Sequence, residues 1–395
     1  MNQLNILTIN GGSSSIKFSL YTAGDTLQKQ LIGAISKIGL QGPMLTVTDV
    51  RTGQRESMSV RTNTIKEAAD FLITWLEENA EISRVEGVGH RIVHGMIHSH
   101  AAVIDEHLLE DLHQFHMIDP DHLPGEIALI EAFRERHPQI PQVACFDTAF
   151  HAGLPRVARL LTLPRRFDEA GVRRYGFHGI SCTYLMEKLI PIAGYPAIKG
   201  RIILAHLGNG ASLTAVRDGK SIDTSMGFTP AGGVIMGTRA GDLDPGVVWY
   251  MMRKERLSPD QFNDLVNHQS GLLGVSAISS DMQDLLNIES SDVRAAEAIA
   301  LFCYQVKKWI GAFTAVLDGL DILVFSGGIG ENAASIRSRI CTGLDYLGIE
   351  LEEGENGKNS VCVSSDSSRV QVYVIPTDEE SIIAKNVYDL LPGQT

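Results

Sequence analysis

One plan recurs along this chain: an apolar strand, a tight turn of Gly, Ser and Asn, and a second element leading away. It is first met at Ile6-Leu7-Thr8-Ile9-Asn10-Gly11-Gly12-Ser13-Ser14-Ser15-Ile16-Lys17-Phe18-Ser19-Leu20-Tyr21. Gly11 and Gly12 let the backbone turn without a Cβ clash. In the outgoing strand Ile16, Phe18 and Leu20 point one way, and Lys17, Ser19 and Tyr21 the other. Three hydroxyls, their N–H groups and one Lys then crowd a single corner, which is the chemistry of a phosphate cradle. The plan returns at Ile202–Val216, around Leu207-Gly208-Asn209-Gly210-Ala211-Ser212. A third strand, Ile322–Ser326, runs into Gly327-Gly328-Ile329-Gly330-Glu331-Asn332 and then a helical pattern over 333–344. One such turn is usually only a hairpin. Three of the same chemistry point to duplicated domains that face each other across a nucleotide. None is a Walker loop, which needs Gly-x-x-x-x-Gly-Lys-Ser/Thr before a helix; Gly219-Lys220-Ser221 has Thr214 where the first Gly belongs.

The chain is 395 residues long, which predicts two domains. Its 44% hydrophobic content supplies two sizeable cores. A formal net charge of −13 repels nucleic acid and anionic membranes at long range, so an anionic substrate needs a local cluster of Arg or Lys. No signal peptide and no membrane-length apolar run is visible. The five cysteines are scattered, with no Cys-x-x-Cys, which argues for a reducing compartment and a cytoplasmic protein.

Strand-like runs alternate with amphipathic helices, the pattern of an α/β fold. Strands are predicted over 5–10, 16–21, 45–49, 142–146, 201–207, 211–217, 322–326 and 370–376, and helices over 64–79, 125–136 and 292–317. The middle of the chain is dense in chemistry. Gly89-His90-Arg91-Ile92-Val93-His94-Gly95 sets a guanidinium, a two-pronged binder of carboxylate or phosphate, beside Gly-flanked backbone. Asp147 lies just past an apolar strand end, where α/β active sites collect. Arg173-Arg174-Tyr175-Gly176-Phe177-His178-Gly179 and Met236-Gly237-Thr238-Arg239 add further cations and a His in loop settings.

At these positions the chain resembles the acetate kinase family, within the larger group of acetate and sugar kinases, Hsp70 and actin. The resemblance spans nearly the whole chain. It rests on Asn-x-Gly-Ser-Ser-Ser-x-Lys (10–17), Gly-His-Arg-x-Val-His-Gly (89–95), Phe-Asp-Thr-Ala-Phe-His (146–151) and Arg-Arg-Tyr-Gly-Phe-His-Gly (173–179). It continues through His-Leu-Gly-Asn-Gly-Ala-Ser (206–212), Asp-Thr-Ser-Met-Gly-Phe-Thr-Pro (223–230), Met-Gly-Thr-Arg (236–239), Gly-Gly-Ile-Gly-Glu-Asn (327–332) and Pro-Thr-Asp-Glu-Glu (376–380).

The resemblance implies two actin-like, ribonuclease H-like domains, each a mixed five-stranded sheet flanked by helices, with ATP in the cleft between them. Residues 1–149 plus 382–395 would form the first domain and 150–381 the second. It implies reversible, direct phosphoryl transfer between ATP and acetate by a homodimer, with Mg²⁺ (Mn²⁺ as the alternative ion). Asn10 and Glu379 would hold the metal, with Glu380 as the other choice. Lys17, Ser13 and Ser15 would lie near the phosphates. Arg91 and Arg239 would clamp the carboxylate and the moving phosphoryl group, with His178 stabilising the transition state. His206, Leu207, Gly208, Asn209 and Gly210 would cradle the nucleotide, together with Gly327, Gly328, Ile329, Gly330 and Glu331. Asp281, Met282 and Gln283 stand where the family contacts adenosine. Val93, Phe177 and Pro230 match a small apolar acyl pocket. A carboxylate is already ionised at neutral pH and needs no base, so Asp147 reads as an orienting or metal-water group. Its loss is expected to show chiefly in Mg²⁺ dependence.

The chain departs from the family in two places that bear on substrate. The usual His-Asn-Pro-x-Asn loop reads Phe115-His116-Met117-Ile118-Asp119-Pro120-Asp121-His122. His116 aligns with the family His, and Phe115 replaces a smaller aliphatic residue of the acyl pocket. The family's Asp-x-Arg near adenosine reads Asp281-Met282-Gln283, which keeps a donor and loses the cation. The acceptor is therefore acetate, or propionate or another short-chain acid. A rival from another class is an actin- or Hsp70-like ATPase, which needs no carboxylate pocket. Two bland readings also stand: Glu331 as a helix cap, and the histidines at 107, 113, 116 and 122 as solvated side chains.

Overall fold

The computed structural model describes residues 4–12, 14–24, 26–80 and 82–391. It divides into two compact units. One runs to Ala149 and resumes at Asp378; the other is Phe150–Thr377. The return comes at Asp378 rather than at 382, because Asp378 starts the last helix: its carboxylate accepts from the Ser381 N–H at 3.3 Å.

The first unit carries β1 (Leu4–Gly11), β2 (Ile16–Ala23), β3 (Leu27–Ser36), β4 (Met44–Asp49), β5 (Arg55–Ser59), β6 (Val85–Ile92), β7 (Ala102–Val103) and β8 (Gln142–Phe146). They form one sheet in the order β5-β4-β3-β2-β1-β6-β8-β7. The expectation of five strands is corrected here to eight. The inner five, β3-β2-β1-β6-β8, have antiparallel β1–β2 and β2–β3 pairs and parallel β1–β6 and β6–β8 pairs. The extra strands are an outer hairpin, β4–β5, and the two-residue β7 at the far edge. Every residue of β5 is exposed, so its sequence carries no apolar alternation to read.

Helices α1 (Ile65–Asn79), α2 (Glu106–Phe115) and α3 (Leu123–Arg136) flank this sheet with the C-terminal helix Glu379–Leu390. The Thr64 hydroxyl caps α1 by accepting from the Glu67 N–H. Leu72, Ile73 and Leu76 of α1 and Leu129 and Phe133 of α3 pack into a core with Leu7, Ile9, Ile16 and Phe18. The C-terminal helix lies against β6 at Gly87 and Gly89. A Cβ on Gly89 would come within 2.4 Å of Ile383 Cγ2 and 2.7 Å of Val387 Cγ2, so the seat exists only because side chains are missing.

The second unit has β9 (Arg201–Leu207), β10 (Ala211–Arg217), β11 (Lys220–Thr224), β12 (Ile322–Ser326) and β13 (Gln371–Val374), in the order β11-β10-β9-β12-β13. β9–β10 and β10–β11 are antiparallel; β9–β12 and β12–β13 are parallel. This is the connectivity of the inner five strands of the first unit, so the duplication read from the recurring turns exists at the level of topology. Its helices include α4 (Gly179–Ala193), α5 (Gly271–Ser276), α6 (Met282–Ile288), α7 (Val293–Val316), α8 (Gly327–Asn332) and α9 (Ala334–Cys341). The third Gly-rich segment is not a turn before a helix: Gly327–Asn332 is itself helical. Among the described residues, no helix is long and apolar enough to cross a membrane.

Candidate active site

In the first unit, three neighbouring strands end at three polar side chains. β1 ends beside Asn10, β6 delivers Arg91, and Asp147 follows the last residue of β8. Ligands collect at the carboxyl ends of such strands. The Arg91 guanidinium pairs with Asp147 through Nη2, donates from Nη1 to Asn10 Oδ1 at 3.4 Å, and has Nε 3.7 Å from Glu379 Oε2. Asn10 Nδ2 donates to the same Glu379 oxygen at 3.2 Å. Asp147 is fully buried, and the Arg91 and Glu379 side chains are about 14% and 15% exposed. Burial alone would lower the Arg91 pKa; Asp147, Glu379 and Glu126 outweigh it and raise it, so the cation is locked on.

The open choice between the two adjacent glutamates acquires a geometry here. Glu379 meets Asn10 and Arg91. Glu380 has its carboxyl pKa raised by burial and then by Glu379, with Lys17 and Lys29 pulling the other way. The start of the C-terminal helix is pinned by Asp378, which pairs with Lys29 at 2.9 Å and accepts from the Tyr21 hydroxyl at 3.4 Å.

The first hairpin pairs Asn10 directly with Lys17, which puts both side chains on one face. Its loop is closed by the Gly12 N–H donating to the Ser15 carbonyl at 2.7 Å. Ser13 lies outside the described residues. Val93 is buried just beyond β6, and its N–H donates to both oxygens of Glu126, at 3.1 and 3.2 Å. Phe115 packs at the end of α2 with the cluster around Leu108 and Leu112. His116 is exposed, its Nδ1 bonded to the His113 carbonyl at 2.6 Å. The structure does not join His116 to the Arg91 group. Past the end of α2 the buried polar side chains are Asp119, with His122 Nδ1 on its Oδ1 at 2.8 Å, and Glu126. Glu126 is a residue that sequence reasoning missed. It sits in an apolar helical run, and its partner is a backbone amide thirty-three residues away.

The second unit gathers the nucleotide candidates. A cavity of roughly 330 Å³ is lined by Gly208 and Asn209 after β9, by Ser280, Asp281, Met282, Gln283 and Leu286 at the start of α6, and by Gly328, Ile329, Asn332 and Ala333. Seven of these were assigned to the nucleotide in the sequence; Asn332 was read only as part of the third Gly-rich motif, and Ser280, Leu286 and Ala333 were given no role. Asp281 also caps α6, accepting from Gln283 N at 2.7 Å and Asp284 N at 3.1 Å. The Gln283 amide turns to Asn287 at 3.1 Å. Gly327 has φ +75°, and a Cβ there would stand 2.7 Å from the Leu207 carbonyl oxygen, so only glycine lets α8 start this close to β9. Glu331 caps its own helix, accepting from Gly327 N at 2.9 Å and from Thr377 N at 3.1 Å. That is the bland reading of Glu331. Its side chain holds the cradle's shape.

Beside the cradle, His178 takes the left-handed conformation (φ 57°) at the start of α4. Its Nδ1 lies 2.9 Å from Ser212 Oγ, and its ring is 4.3 Å from that of His206. Arg239 Nη1 donates to the Pro230 carbonyl at 3.3 Å. A Cβ on Gly210 would meet His178 Nε2 at 3.2 Å and Arg239 Nη1 at 3.7 Å, so His178, Gly210 and Arg239 form one group. Phe177 is buried, and its carbonyl accepts from His151 Nε2 at 2.9 Å.

A family model, the acetokinase family, matches residues 5–385. The chain belongs to the acetokinase family. It is therefore a phosphotransferase with a carboxyl group as acceptor. Among curated relatives it is 42% identical to the acetate kinase of Methylocella silvestris, over 98% of both chains, and 41% identical to that of Heliobacterium modesticaldum, over 98% of this chain and 100% of that one. Among solved structures it matches Porphyromonas gingivalis acetate kinase with a TM-score of 0.88 at 35% identity, covering 98% of this chain and 100% of that one. It matches a propionate kinase from Francisella tularensis with a TM-score of 0.92, also at 35% identity and the same coverage. Asn10, Arg91, Val93 and Glu379 belong to the first unit; the glycine cradle, Phe177, His178, Pro230 and Arg239 belong to the second.

Proposed function

We propose that this chain moves a phosphoryl group directly between ATP and acetate, giving acetyl phosphate and ADP. The observation that carries this is Arg91, held permanently cationic at a row of strand ends by Asp147 and Glu379. A carboxylate acceptor and a phosphoryl donor are both anions. Their approach is limited by repulsion rather than by lack of a base, so positioning and fixed positive charge supply the rate. Arg91 and Arg239 clamp acceptor and phosphoryl oxygens, and His178 donates to charge that develops on the equatorial oxygens. Its Ser212 contact fixes the ring. Asp147 acts through Arg91 as an orienting group. The cradle at Gly208, Asn209 and Gly328 presents backbone N–H groups to the nucleotide.

Mg²⁺, with Mn²⁺ as the substitute, fits the oxygen donors of Asn10 and Glu379, hard ligands that a small dication shares with phosphate and water. When bound it neutralises phosphate charge. Among the described residues, no three His, Cys, Asp or Glu side chains are grouped as a metal cage, which suits an ion held partly by its substrate. The free state of all five cysteines supports the cytoplasm as the working compartment. We further propose a homodimer: the helix Pro245–Lys254 buries none of its residues, yet carries Trp249 65% exposed and Tyr250 53% exposed. Light scattering after gel filtration should return about twice the mass of one chain.

The likeness to a propionate kinase favours propionate as the second reading. One assay separates the readings: Mg-ATP, a panel of two- to four-carbon acids, and hydroxylamine to trap acyl phosphate. Acetate should give the highest kcat/KM. Propionate ahead of acetate would replace the acceptor. ATP turnover with no hydroxamate from any acid would falsify the kinase reading in favour of an ATPase.

A further inference from the structure

We infer that Glu126 is a positioning residue of the acceptor side: it holds the backbone at Val93 and thereby sets where the Arg91 segment is presented. The inference rests on the acetokinase reading. Glu126 lies on α3 and is only 2% exposed. Its helix neighbours Leu123, Ile127, Leu129 and Ile130 are buried and apolar, so packing alone would be served by an apolar residue there. A buried carboxyl is costly unless it makes bonds that matter. Both oxygens of this one meet the Val93 N–H, at 3.1 and 3.2 Å. That N–H stands one residue past the end of β6, where the sheet ladder has stopped, and two residues beyond Arg91.

The methylene stem of the same side chain borders the first hairpin. A Cβ on Gly11 would lie 3.9 Å from Glu126 Cγ, and 2.7 Å from Leu129 Cδ1 one turn along α3. Glu126 thus ties α3 to the end of β6 and abuts the end of β1. A second buried acid, Asp119, acts on it electrostatically: this side chain is 5% exposed, one oxygen bonds His122, and the other is buried without a hydrogen-bond partner. Burial pushes the Glu126 pKa well above the usual carboxylate range, Arg91 draws it down, and Asp119 adds to the rise. The bond to Val93 asks only for an acceptor oxygen at the right reach, charged or not.

Three variants separate reach from charge. Glu126→Gln keeps length and an acceptor. Glu126→Asp keeps the acid and shortens it by one methylene. Glu126→Leu keeps the bulk and removes the acceptor. In the hydroxamate assay Glu126→Gln should keep both KM values within about twofold. Glu126→Asp and Glu126→Leu should raise the carboxylate KM roughly tenfold or more, leaving the ATP KM within about twofold. If Glu126→Leu does not fold, Glu126→Asp carries the test. Independently of activity, amide hydrogen exchange over 93–95 should accelerate about tenfold in Glu126→Asp and not in Glu126→Gln. Unchanged exchange overturns the inference, as does an ATP KM that rises in parallel. A wild type that makes no hydroxamate yet shows this exchange pattern would sink only the functional reading.

Discussion

At the scale of single residues, the pair of Arg91 and Asp147 narrows a choice of roles. Read from sequence, Asp147 was an orienting or a metal-water group. In the structure its carboxylate grips Arg91. Asp147→Asn is thus expected to lower kcat/KM for the carboxylate by about 10²-fold, with a higher carboxylate KM and an Mg²⁺ profile of normal midpoint. A shifted Mg²⁺ midpoint with normal carboxylate KM would restore the metal role. Gln283 offers a gain instead of a loss. It lines the cavity proposed for the nucleotide and spends its amide on Asn287. Gln283→Arg brings a charged fork to that wall and should lower the KM for ATP by about three- to tenfold; an unchanged KM would place the nucleotide elsewhere in the cavity. These chemistries were legible because Gly, Arg, His and Asp in tight motifs leave few structural explanations. Glu126 was not, since a lone acid in an apolar helix has no local signature. What gives it meaning is distant backbone.

At the scale of elements, strands with apolar alternation or an unbroken apolar run declared themselves, as β1, β2, β9 and β12 did. β3, half exposed, and β6, with two glycines in eight residues, did not. Those glycines are there for the C-terminal helix. Gly89→Val should cost about 1–3 kcal/mol through overpacking against Ile383 and Val387 and lower the melting temperature. Because that helix also carries Glu379, the variant should weaken Mg²⁺ dependence even where it stays folded. A normal melting temperature would contradict the packing described. Each unit buries a histidine, His90 in the first and His151 in the second, whose charging would oppose the fold at low pH. Burial drives the His90 pKa to about 4 despite its Gln142 bond, and that of His151 to about 4 despite the Phe177 carbonyl. A folded-state value below the unfolded one favours the neutral ring. That stability is full above pH 6.5 and is lost as pH falls from about 6.5 through 4, up to about 3 kcal/mol for each ring. Melting temperature followed from pH 7 to 5 should fall, and less steeply in His90→Gln. A flat profile would mean that neither ring is buried neutral.

At the scale of the molecule, a net charge of −13 sets the long-range field. Arg91 does not reverse it, because Asp147, Glu379 and Glu126 surround that one cation. Raising ionic strength from about 10 to 100 mM shortens the screening length from about 30 to 10 Å. The KM values of both anionic substrates should then fall by roughly two- to threefold, where a cationic funnel would make them rise. The repeated β-β-β-α-β plan was legible in the two recurring hairpin turns; of the outer strands of the first sheet, β4 was read at 45–49, while the fully exposed β5 and the two-residue β7 were not. That sheet has one more property. Its covering helix and its Glu379 come from 378–391, while the strands they complete have ended by Phe146. During synthesis the second unit, 150–377, has all its own strands before the first unit has its last helix. Until that late segment leaves the ribosome, β6 shows the growing chain a bare glycine-lined strip, and Arg91 lacks one of its two closest acids. The strip at Gly87 and Gly89 is thus the last part of that sheet to be covered, and Arg91 gains its second acid last.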